Sequence, residues 1–257
     1  MKRYCFLGLV IILVFSLVIP CGADAKRLSW FCKHEKDHRQ PMIDPGLSFV
    51  EKYNAVYLDR RYQSIEEQDK VIYLTFDAGY ENGNVDKILN ILKEESVQAS
   101  FFILGHLVRK NTDLVRRMAK EGHLLCNHTL RHLDMSGLSD EKMMEELHSL
   151  ERLCEETIGV QMAKFYRPPE GVFSRDNLIC AQKNGYKTVF WSFAYPDWNN
   201  QNQLSPQKAK EIILGNIHNG EIMLLHPTSQ TNAAILKDVI QALKQDGYRF
   251  ARLDELA

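Results

Sequence analysis

Two histidines four residues apart are the first candidates for chemistry in this sequence. His128 and His132 lie in the segment NHTLRH, residues 127–132. In a helical turn this spacing puts both imidazole rings on one face, where they can bind one divalent ion as neutral ligands. Two ordinary loop histidines are the alternative, and for such a pair taken alone that is the commoner case. The spacing indicates a metal site without establishing one.

Three further polar residues could act on a substrate, and each has a structural alternative. Asp77 precedes a glycine turn and is either a general base or a helix N-cap. Arg167 precedes Pro168 and Pro169, whose fixed backbone would hold its guanidinium in place, although a surface arginine also fits. His226 ends the apolar run EIMLLH and, taken alone, is more often a buried core histidine than a catalytic one.

Buried strands must position these residues, and the sequence predicts them from Val71 onward. Short apolar stretches, rich in β-branched or aromatic residues and bounded by turn residues, are typical of buried strands. They lie at 71–76, 99–104, 123–126, 164–167, 187–193, 221–226 and 248–252. Helical periodicity fills the gaps at 85–93, 112–120, 139–159, 175–184, 206–218 and 233–245, with Ser139 as an N-cap and Gly159 as a C-cap.

Strict alternation of strands and helices predicts an α/β fold with a parallel sheet and right-handed crossovers. We expect a distorted (β/α) barrel of about seven parallel strands, with a doubly wound open sheet as the alternative. In a barrel, reactive residues lie at the carboxyl ends of strands. Successive predicted strands end at or just before Asp77, the histidine pair, Arg167, Asp197-Trp198 and His226, which places all of them at one rim.

Composition and charge exclude several classes of protein. The chain has 257 residues, 45% hydrophobic and 25% charged, with a formal net charge of −1. Such a composition excludes a disordered tail, a collagen-like fibre and a polytopic membrane protein, and no charge excess indicates binding to nucleic acid. The cysteines after residue 25 form no C-x-x-C pair, so we expect buried free thiols; they are Cys32, Cys126, Cys154 and Cys180.

The N-terminal region divides into two parts. Residues 1–25 have the layout of a secretory signal peptide, with Lys2 and Arg3, an apolar run to Pro20 and a cleavage site after Ala25. An uncleaved membrane anchor is the alternative, because the apolar run is just long enough to span a bilayer. Residues 26–69 are polar and irregular, and we interpret them as an arm packed on a single domain at 70–253.

Taken in order, these motifs resemble the polysaccharide deacetylase family of carbohydrate esterases, which share the chitooligosaccharide deacetylase homology domain. The resemblance covers roughly residues 70–253 and rests on separated motifs: Asp77, His-x-x-x-His, Arg-Pro, Asp-Trp and Leu-Leu-His. The segments TFDAGYENG, RPPEGVFS and VFWSFAYPDW, and EKYNAVYL in the arm, look closer to the branch of delta-lactam-biosynthetic de-N-acetylases.

The resemblance implies amide hydrolysis and assigns roles by motif. In the family a divalent metal polarises the carbonyl and activates water. By resemblance, Asp77 is the general base and His226 the general acid, Arg167 orients Asp77, and Asp197 keeps His226 protonated. The implied metal ligands are His128 and His132, and the implied substrate-binding residues are Tyr80, Glu81, Asn82, Pro168 and Trp198.

One departure from the family pattern concerns the metal. The family has a second, metal-binding aspartate after the general base, and this chain has Ala78 there. Only two protein ligands remain where three are normal for a catalytic zinc ion. We therefore expect a divalent metal, zinc in the first instance, that is weakly held and easily stripped.

The resemblance predicts a secreted, cell-wall-associated hydrolase that removes the N-acetyl group from peptidoglycan N-acetylmuramic acid, linked to muramic delta-lactam formation in spore cortex. The alternatives are an N-acetylglucosamine or chitooligosaccharide deacetylase, and a catalytically inactive glycan-binding homologue. The expected partner is a peptidoglycan glycan strand, with no nucleic acid. We expect a monomer, attached to the membrane only if the segment before Ala25 is not cleaved.

Overall fold

The computed structural model describes residues 26–33, 35, 38–62 and 69–256. The predicted signal peptide, residues 1–25, lies outside the described residues. The strands are β1 (Leu28–Ser29), β2 (Cys32–Lys33), β3 (Met42–Ile43), β4 (Ala55–Val56), β5 (Lys70–Ala78), β6 (Ser100–Ile103), β7 (Leu124–Asn127), β8 (Ala163–Tyr166), β9 (Val172–Phe173), β10 (Lys187–Val189), β11 (Phe193–Ala194), β12 (Glu221–Leu225) and β13 (Tyr248–Ala251). The α-helices are α1 (Val85–Glu94), α2 (Gly105–Lys110), α3 (Thr112–Lys120), α4 (Asp140–Ile158), α5 (Arg175–Lys183), α6 (Pro206–Asn216) and α7 (Gln230–Gln245). Shorter 3₁₀ helices occupy Pro45–Tyr53, Arg60–Tyr62, Pro169–Gly171 and Leu253–Glu255.

The main sheet is parallel and is centred on β5. Its strand order is β11-β12-β5-β6-β7-β8-β10-β4. On the side of β5 away from β12, two strands share one edge. The first half of β5, Lys70 to Tyr73, pairs with β13, and the second half, Thr75 to Ala78, pairs with β6. This sharing makes the sheet irregular and leaves the carboxyl end of β5 between β6 and β12.

The sheet is curled, because one stretch of chain supplies strands near both of its ends. β10 is the next-to-last strand at one end of the sheet order, and β11 is the last strand at the other. Only residues 190–192 join the two strands. An extended chain of that length spans about 14 Å at most, so the two edges must lie close together. The curl confirms the predicted barrel-like α/β fold over the open doubly wound sheet.

Alternation along β5 separates two environments. Ile72, Leu74 and Phe76 lie in the large apolar core that also contains the buried faces of α1, α3 and α7. Val71 and Tyr73 lie in a second cluster on the other face of the strand. Because side chains of a strand point alternately to opposite faces, Thr75 and Asp77 share the face of Val71 and Tyr73.

Most predicted elements are present, with corrections at three places. Ser139 caps α4, accepting a hydrogen bond from the Lys142 N–H, and Gly159 ends the helix at φ 72°. The predicted strand 187–193 is divided into β10 and β11, since Phe190 to Ser192 cross between the sheet's edges. Helix α2 was missed because its six residues are too few to show periodicity, and α7 begins at Gln230, capped by Ser229, instead of Ala233. None of the described helices is long and apolar enough to cross a bilayer.

The arm contributes to both the sheet and the core. β4 adds a parallel edge strand beside β10, and β1 pairs antiparallel with β9. Trp30, Val50 and Tyr57 of the arm are buried against Phe173 and Phe190 of the domain. The domain boundaries stay a prediction, but Trp30, Val50 and Tyr57 show that the arm is integrated into the packing of the domain. All four cysteines after residue 25 are unpaired; Cys126, Cys154 and Cys180 are buried as expected, and Cys32 is partly exposed.

Candidate active site

Asp77 is the next-to-last residue of β5 and is held by a buried arginine, Arg167, which directly follows β8. The Arg167 guanidinium donates from Nη1 to Asp77 Oδ1 at 2.7 Å and from Nη2 to Thr75 Oγ1 at 3.0 Å. Arg167 is 0% exposed, and its centre lies 4.0 Å from the Phe102 ring centroid. It also donates to the carbonyls of Val189 and Phe190. Such a guanidinium cannot reorient, so it fixes the carboxylate.

The charge of Asp77 is stabilised by this contact. Burial by itself raises the pKa of the Asp77 carboxyl, but the positive charge of Arg167, with smaller contributions from His128 and His226, outweighs burial and lowers the pKa. The carboxyl is therefore ionised throughout the neutral range. An ionised carboxylate at the rim of the sheet is available to accept a proton.

The two histidines lie together, but not on a helical turn. Residues 128–132 form a loop in which Thr129 and His132 have φ of 74° and 61°. The prediction of a helical i, i+4 face was wrong, because the Asn127 side chain binds the Thr129 N–H and Thr129 Oγ1 binds the His132 N–H, which turns the backbone out of a helix. The rings nevertheless meet edge to face, with centroids 5.0 Å apart.

His128 is oriented by a backbone contact. Its Nδ1 lies 2.9 Å from the Arg167 carbonyl oxygen, so Nδ1 carries the proton and Nε2 faces Asp77 Oδ2 at 3.5 Å. Burial lowers the pKa of His128 to about 4, although the charge of Asp77 acts in the other direction. The ring is therefore neutral near pH 7 and offers a free nitrogen lone pair, as a metal ligand requires.

His226 follows β12 and is bound by a buried carboxylate. Its Nδ1 lies 2.7 Å from Asp197 Oδ1, and its backbone N–H donates to Asp197 Oδ2 at 2.7 Å. Asn232 Nδ2 donates to the same Oδ2 at 2.6 Å, and the Tyr195 hydroxyl donates to Asn232 Oδ1. These contacts fix both the carboxylate and the imidazole, and they leave Nε2 of His226 free to face a substrate.

Asp197 also sets the protonation of His226. Burial on its own lowers the pKa of this imidazole, but the hydrogen bond and the negative charge of Asp197 outweigh burial, and the pKa is raised. Asp77 adds a smaller contribution in the same direction. His226 therefore stays protonated to higher pH than a free histidine, and it can donate a proton.

A cavity of about 700 Å³ joins these groups. Five of the residues singled out in the sequence line it: Asp77, His128, His132, Trp198 and His226. Arg167 and Asp197 lie behind the first and last of these, within hydrogen-bonding distance. The carboxylate and the protonated imidazole thus face one space.

The other predicted substrate-binding residues do not line this cavity. Tyr80 is exposed, and its hydroxyl accepts a hydrogen bond from Asn200. Glu81 accepts from the Gly83 N–H, and Asn82 donates to the Thr228 carbonyl, so both side chains stabilise the loop after β5. Pro168 is buried in the turn after β8. Their role in substrate binding stays a prediction.

Sequence reasoning missed three residues of the site. Thr75 shares the Arg167 guanidinium with Asp77, and Asn232 at the start of α7 fixes Asp197. Glu170 lines the cavity from the turn after Pro169. The two-residue alternation along β5 could have indicated Thr75. No sequence signal pointed to Asn232, whose contact depends on how α7 packs.

The histidine pair supplies two of the ligands that a catalytic metal site needs. His128 and His132 line the cavity and offer two imidazole nitrogens, one of them fixed by a backbone carbonyl as is usual for metal ligands. Ala78 has no donor atom and packs in the apolar core. Within the described ranges, no group of three His, Cys, Asp or Glu side chains is arranged to hold a metal. The site has two good donors and lacks a third.

Comparison with known proteins finds relatives that deacetylate carbohydrates. The sequence profile of the family described as polysaccharide deacetylase matches residues 64–189. The chain is 39% identical to the peptidoglycan-N-acetylmuramic acid deacetylase PdaA of Bacillus subtilis, over 89% of this chain and 85% of PdaA. It is 33% identical to a peptidoglycan-N-acetylglucosamine deacetylase of Bacillus cereus, over 75% of this chain and 90% of that protein.

The fold agrees as well. The structure of Bacillus subtilis PdaA, described as a family 4 carbohydrate esterase, matches with a TM-score of 0.85 and 38% identity, covering 91% of this chain and 98% of the other. Similarity of this extent in both sequence and fold identifies a family. The chain therefore belongs to the polysaccharide deacetylase family, the family 4 carbohydrate esterases, and is a carbohydrate de-N-acetylase.

Proposed function

We propose that this protein is an extracytoplasmic peptidoglycan deacetylase that removes the N-acetyl group from N-acetylmuramic acid. One observation carries the proposal: a single cavity is lined by an ionised carboxylate, Asp77, and a protonated imidazole, His226, each held in its charge state by a separate buried partner. Amide hydrolysis needs this combination of base and acid. The muramic substrate is supported by the identity with the Bacillus subtilis deacetylase.

In the proposed mechanism, Asp77 accepts a proton from a water molecule as the water oxygen bonds to the acetyl carbonyl carbon. The hydrogen bond from Arg167 holds the Asp77 carboxylate in the orientation in which it lines the cavity. His226 then donates its proton to the amide nitrogen, the carbon–nitrogen bond breaks, and acetate and a free amine leave. Asp197 and Asn232 are positioning residues that hold His226 for this transfer.

A divalent metal, when bound by His128 and His132, supplies Lewis-acid polarisation of the acetyl carbonyl and lowers the pKa of water. The neutral His128 ring keeps one ligand position ready. We propose zinc as the ion and weak binding as its mode, because Ala78 provides no third ligand.

The free amine that deacetylation produces supports a cellular role in delta-lactam formation. Removing acetyl from muramic acid leaves an amine next to the lactyl group on the same sugar, which is the arrangement that delta-lactam formation in spore cortex requires. The predicted signal segment supports a location outside the cytoplasm, and we propose that the protein acts there as a monomer on glycan strands.

The test uses purified protein and glycans of defined composition. Oligosaccharides of alternating N-acetylglucosamine and N-acetylmuramic acid are incubated with the protein, released acetate is measured, and mass spectrometry assigns the free amine to one sugar. We expect the amine on muramic acid. An amine on glucosamine instead would favour the activity of the Bacillus cereus relative, and no acetate from any glycan, with zinc added, would overturn both.

A further inference from the structure

A second cavity lies at the other end of the strands from the catalytic groups, and we call it the amino-end cavity. Its volume is about 840 Å³, and its lining comes from α1, α3, β13 and the connections that precede β6 and β7. β13 pairs with β5 as far as Tyr73, so β6 begins only at Ser100, opposite Thr75. The cavity lies beside this step in the sheet, and the proposed mechanism does not use it.

The amino-end cavity contains a buried imidazole whose N–H has no partner. His123 lines the cavity and is 5% exposed. Its Nδ1 accepts a hydrogen bond from the Ala99 N–H at 3.2 Å, and burial lowers the pKa of the ring to about 4, so the neutral ring carries its proton on Nε2. Nε2 is buried and has no hydrogen-bond partner among the residues that the structure describes. Since a buried N–H left unpaired costs free energy, this position favours a ligand that brings an acceptor.

A buried acceptor lies beside this donor. Glu121, which follows α3, lines the same cavity, and its Oε1 accepts a hydrogen bond from Arg117 Nε at 2.9 Å. Its Oε2 is buried and has no hydrogen-bond partner within the described part of the chain. Glu121 and His123 are two residues apart, so their α-carbons are separated by about 7 Å at most. One small ring could therefore contact both groups.

The charges of the lining do not favour an anion as that ligand. Arg116, Arg117 and Arg252 each have a carboxylate partner. Lys93 and Lys120 are exposed, so solvent screens their charge. An anion bound beside the buried imidazole would also be repelled by the unpartnered carboxylate oxygen next to it.

A hydroxylated ligand fits the two unpartnered groups. A hydroxyl group accepts a hydrogen bond from an N–H and donates one to a carboxylate oxygen. Neighbouring hydroxyls on a sugar ring offer both contacts at once. Phe250 also lines the cavity and adds an aromatic surface against which the C–H face of a sugar can pack.

We propose that the amino-end cavity is a second glycan-binding site, in which sugar hydroxyls accept from His123 Nε2 and donate to Glu121 Oε2. The inference rests on the proposed function only for the identity of the polymer, peptidoglycan glycan. The site lies at the opposite end of the strands from Asp77, so it binds a stretch of glycan other than the one being deacetylated. Binding at both sites would keep the protein on the polymer between turnovers.

The test is an NMR titration with a tetrasaccharide of alternating N-acetylglucosamine and N-acetylmuramic acid. The protein carries Asp77→Asn, so that the glycan is not consumed during the titration. The backbone amide of Gly122, between Glu121 and His123, reports on the amino-end cavity, and that of Gly171 reports on the catalytic cavity. We expect both signals to shift, each with its own Kd.

Two further substitutions assign the Gly122 signal to the proposed contacts. Glu121→Gln keeps an oxygen for Arg117 and replaces the unpartnered acceptor by a donor, so the Kd reported by Gly122 should rise about ten-fold while the Kd reported by Gly171 stays the same. His123→Asn retains an oxygen to accept from the Ala99 N–H and removes Nε2, and the same rise is expected. The NMR spectrum shows in each case whether the fold is retained.

Glu95→Gln is the matched control. Glu95 follows α1 as Glu121 follows α3, its side chain is 11% exposed against 16% for Glu121, and it lies outside the lining of the amino-end cavity. Its Oε1 already accepts a hydrogen bond from Gln241. Neither Kd should change.

The outcomes separate this inference from the proposed function. No shift at Gly122 when the Gly171 signal is saturated, or a Gly122 Kd unchanged in both Glu121→Gln and His123→Asn, overturns the inference alone. Tighter binding of poly(glycerol phosphate) than of the tetrasaccharide at Gly122, weakened by salt, also overturns it, because the cavity would then be an anion site. Glycan binding at Gly122 without acetate release by the wild-type protein overturns the proposed function and supports the second site.

Discussion

At the scale of single residues, two titratable groups face one cavity and are held in opposite charge states by separate partners. Arg167 stabilises the ionised form of Asp77, and Asp197 stabilises the protonated form of His226. Each partner is buried and makes several further hydrogen bonds, so neither can turn away. The charge states are therefore properties of the folded chain before substrate binds.

Replacing Asp77 tests the base. We expect Asp77→Asn to lower kcat by about 10² to 10⁴, the usual contribution of a general base. Asparagine keeps an oxygen that can accept from Arg167, so the fold should be retained. Acetate release and the thermal unfolding midpoint are the measurements. Near wild-type activity in a folded variant would remove Asp77 from the proposed mechanism.

The pH dependence tests the acid. The pKa of His226 is raised, so activity should persist at neutral pH and fall as pH rises through that pKa, because the proton donor is lost. In Asp197→Asn, the burial that lowers the pKa of His226 is opposed only by the smaller effect of Asp77. The alkaline limb of the kcat profile should then move to lower pH, with a reduced maximum. An alkaline limb at the wild-type pH would contradict this role of Asp197.

Metal removal tests the histidine pair. Because the proposed site has two imidazoles and no third protein ligand, we expect dialysis against a chelator to strip the ion and abolish activity, and added zinc to restore activity. His132→Ala should raise the zinc concentration needed for half-maximal activity. His106→Ala, which changes an exposed histidine on α2, is the control. Full activity after complete chelation would exclude the metal from the mechanism.

At the scale of elements, the turn Pro169–Gly171 contributes Glu170 and Gly171 to the wall of the cavity. We expect Gly171→Ala to destabilise the fold by about 2–4 kcal/mol, because it adds overpacking against Trp191 to the cost of a left-handed backbone. Gly159→Ala is the matched control: its φ is +72° but no atom lies within 4 Å of the added carbon, so it should cost about 1–2 kcal/mol. Urea unfolding measures both, and equal losses would contradict the close packing.

The elements also show what a sequence can predict. Short apolar runs, rich in β-branched or aromatic residues and bounded by turn residues, were enough to predict β5, β6, β7 and β12, because a strand buried on both faces is apolar throughout. The loop 128–132 was not predictable in this way, since its path depends on side-chain hydrogen bonds from Asn127 and Thr129. Asn232 and Glu170 reach the site through the packing of α7 and of the Pro169–Gly171 turn, which local sequence does not encode.

At the scale of the whole molecule, the arm and the domain form one packing unit. Trp30, Val50 and Tyr57 cover Phe173 and Phe190, and β4 completes the edge of the sheet. A chain that begins at Lys70 would expose this apolar surface and the edge of β10. We expect it to aggregate or to unfold without a cooperative transition, whereas a chain beginning at Lys26 should unfold cooperatively. Circular dichroism against urea distinguishes the two, and a stable, soluble 70–257 fragment would contradict this view.

The pairing of β1 with β9 limits how far the cavity can lie from a membrane that holds the N-terminal segment. Leu28 lies opposite Phe173, close in sequence to Gly171 at the wall of the cavity. If the apolar segment ending at Pro20 stays in a bilayer, residues 21–27 form a tether that spans about 25 Å at most. The anchored protein could then act only on glycan strands close to the membrane surface. The cleaved protein could diffuse to glycan strands in the outer layers of the cell wall.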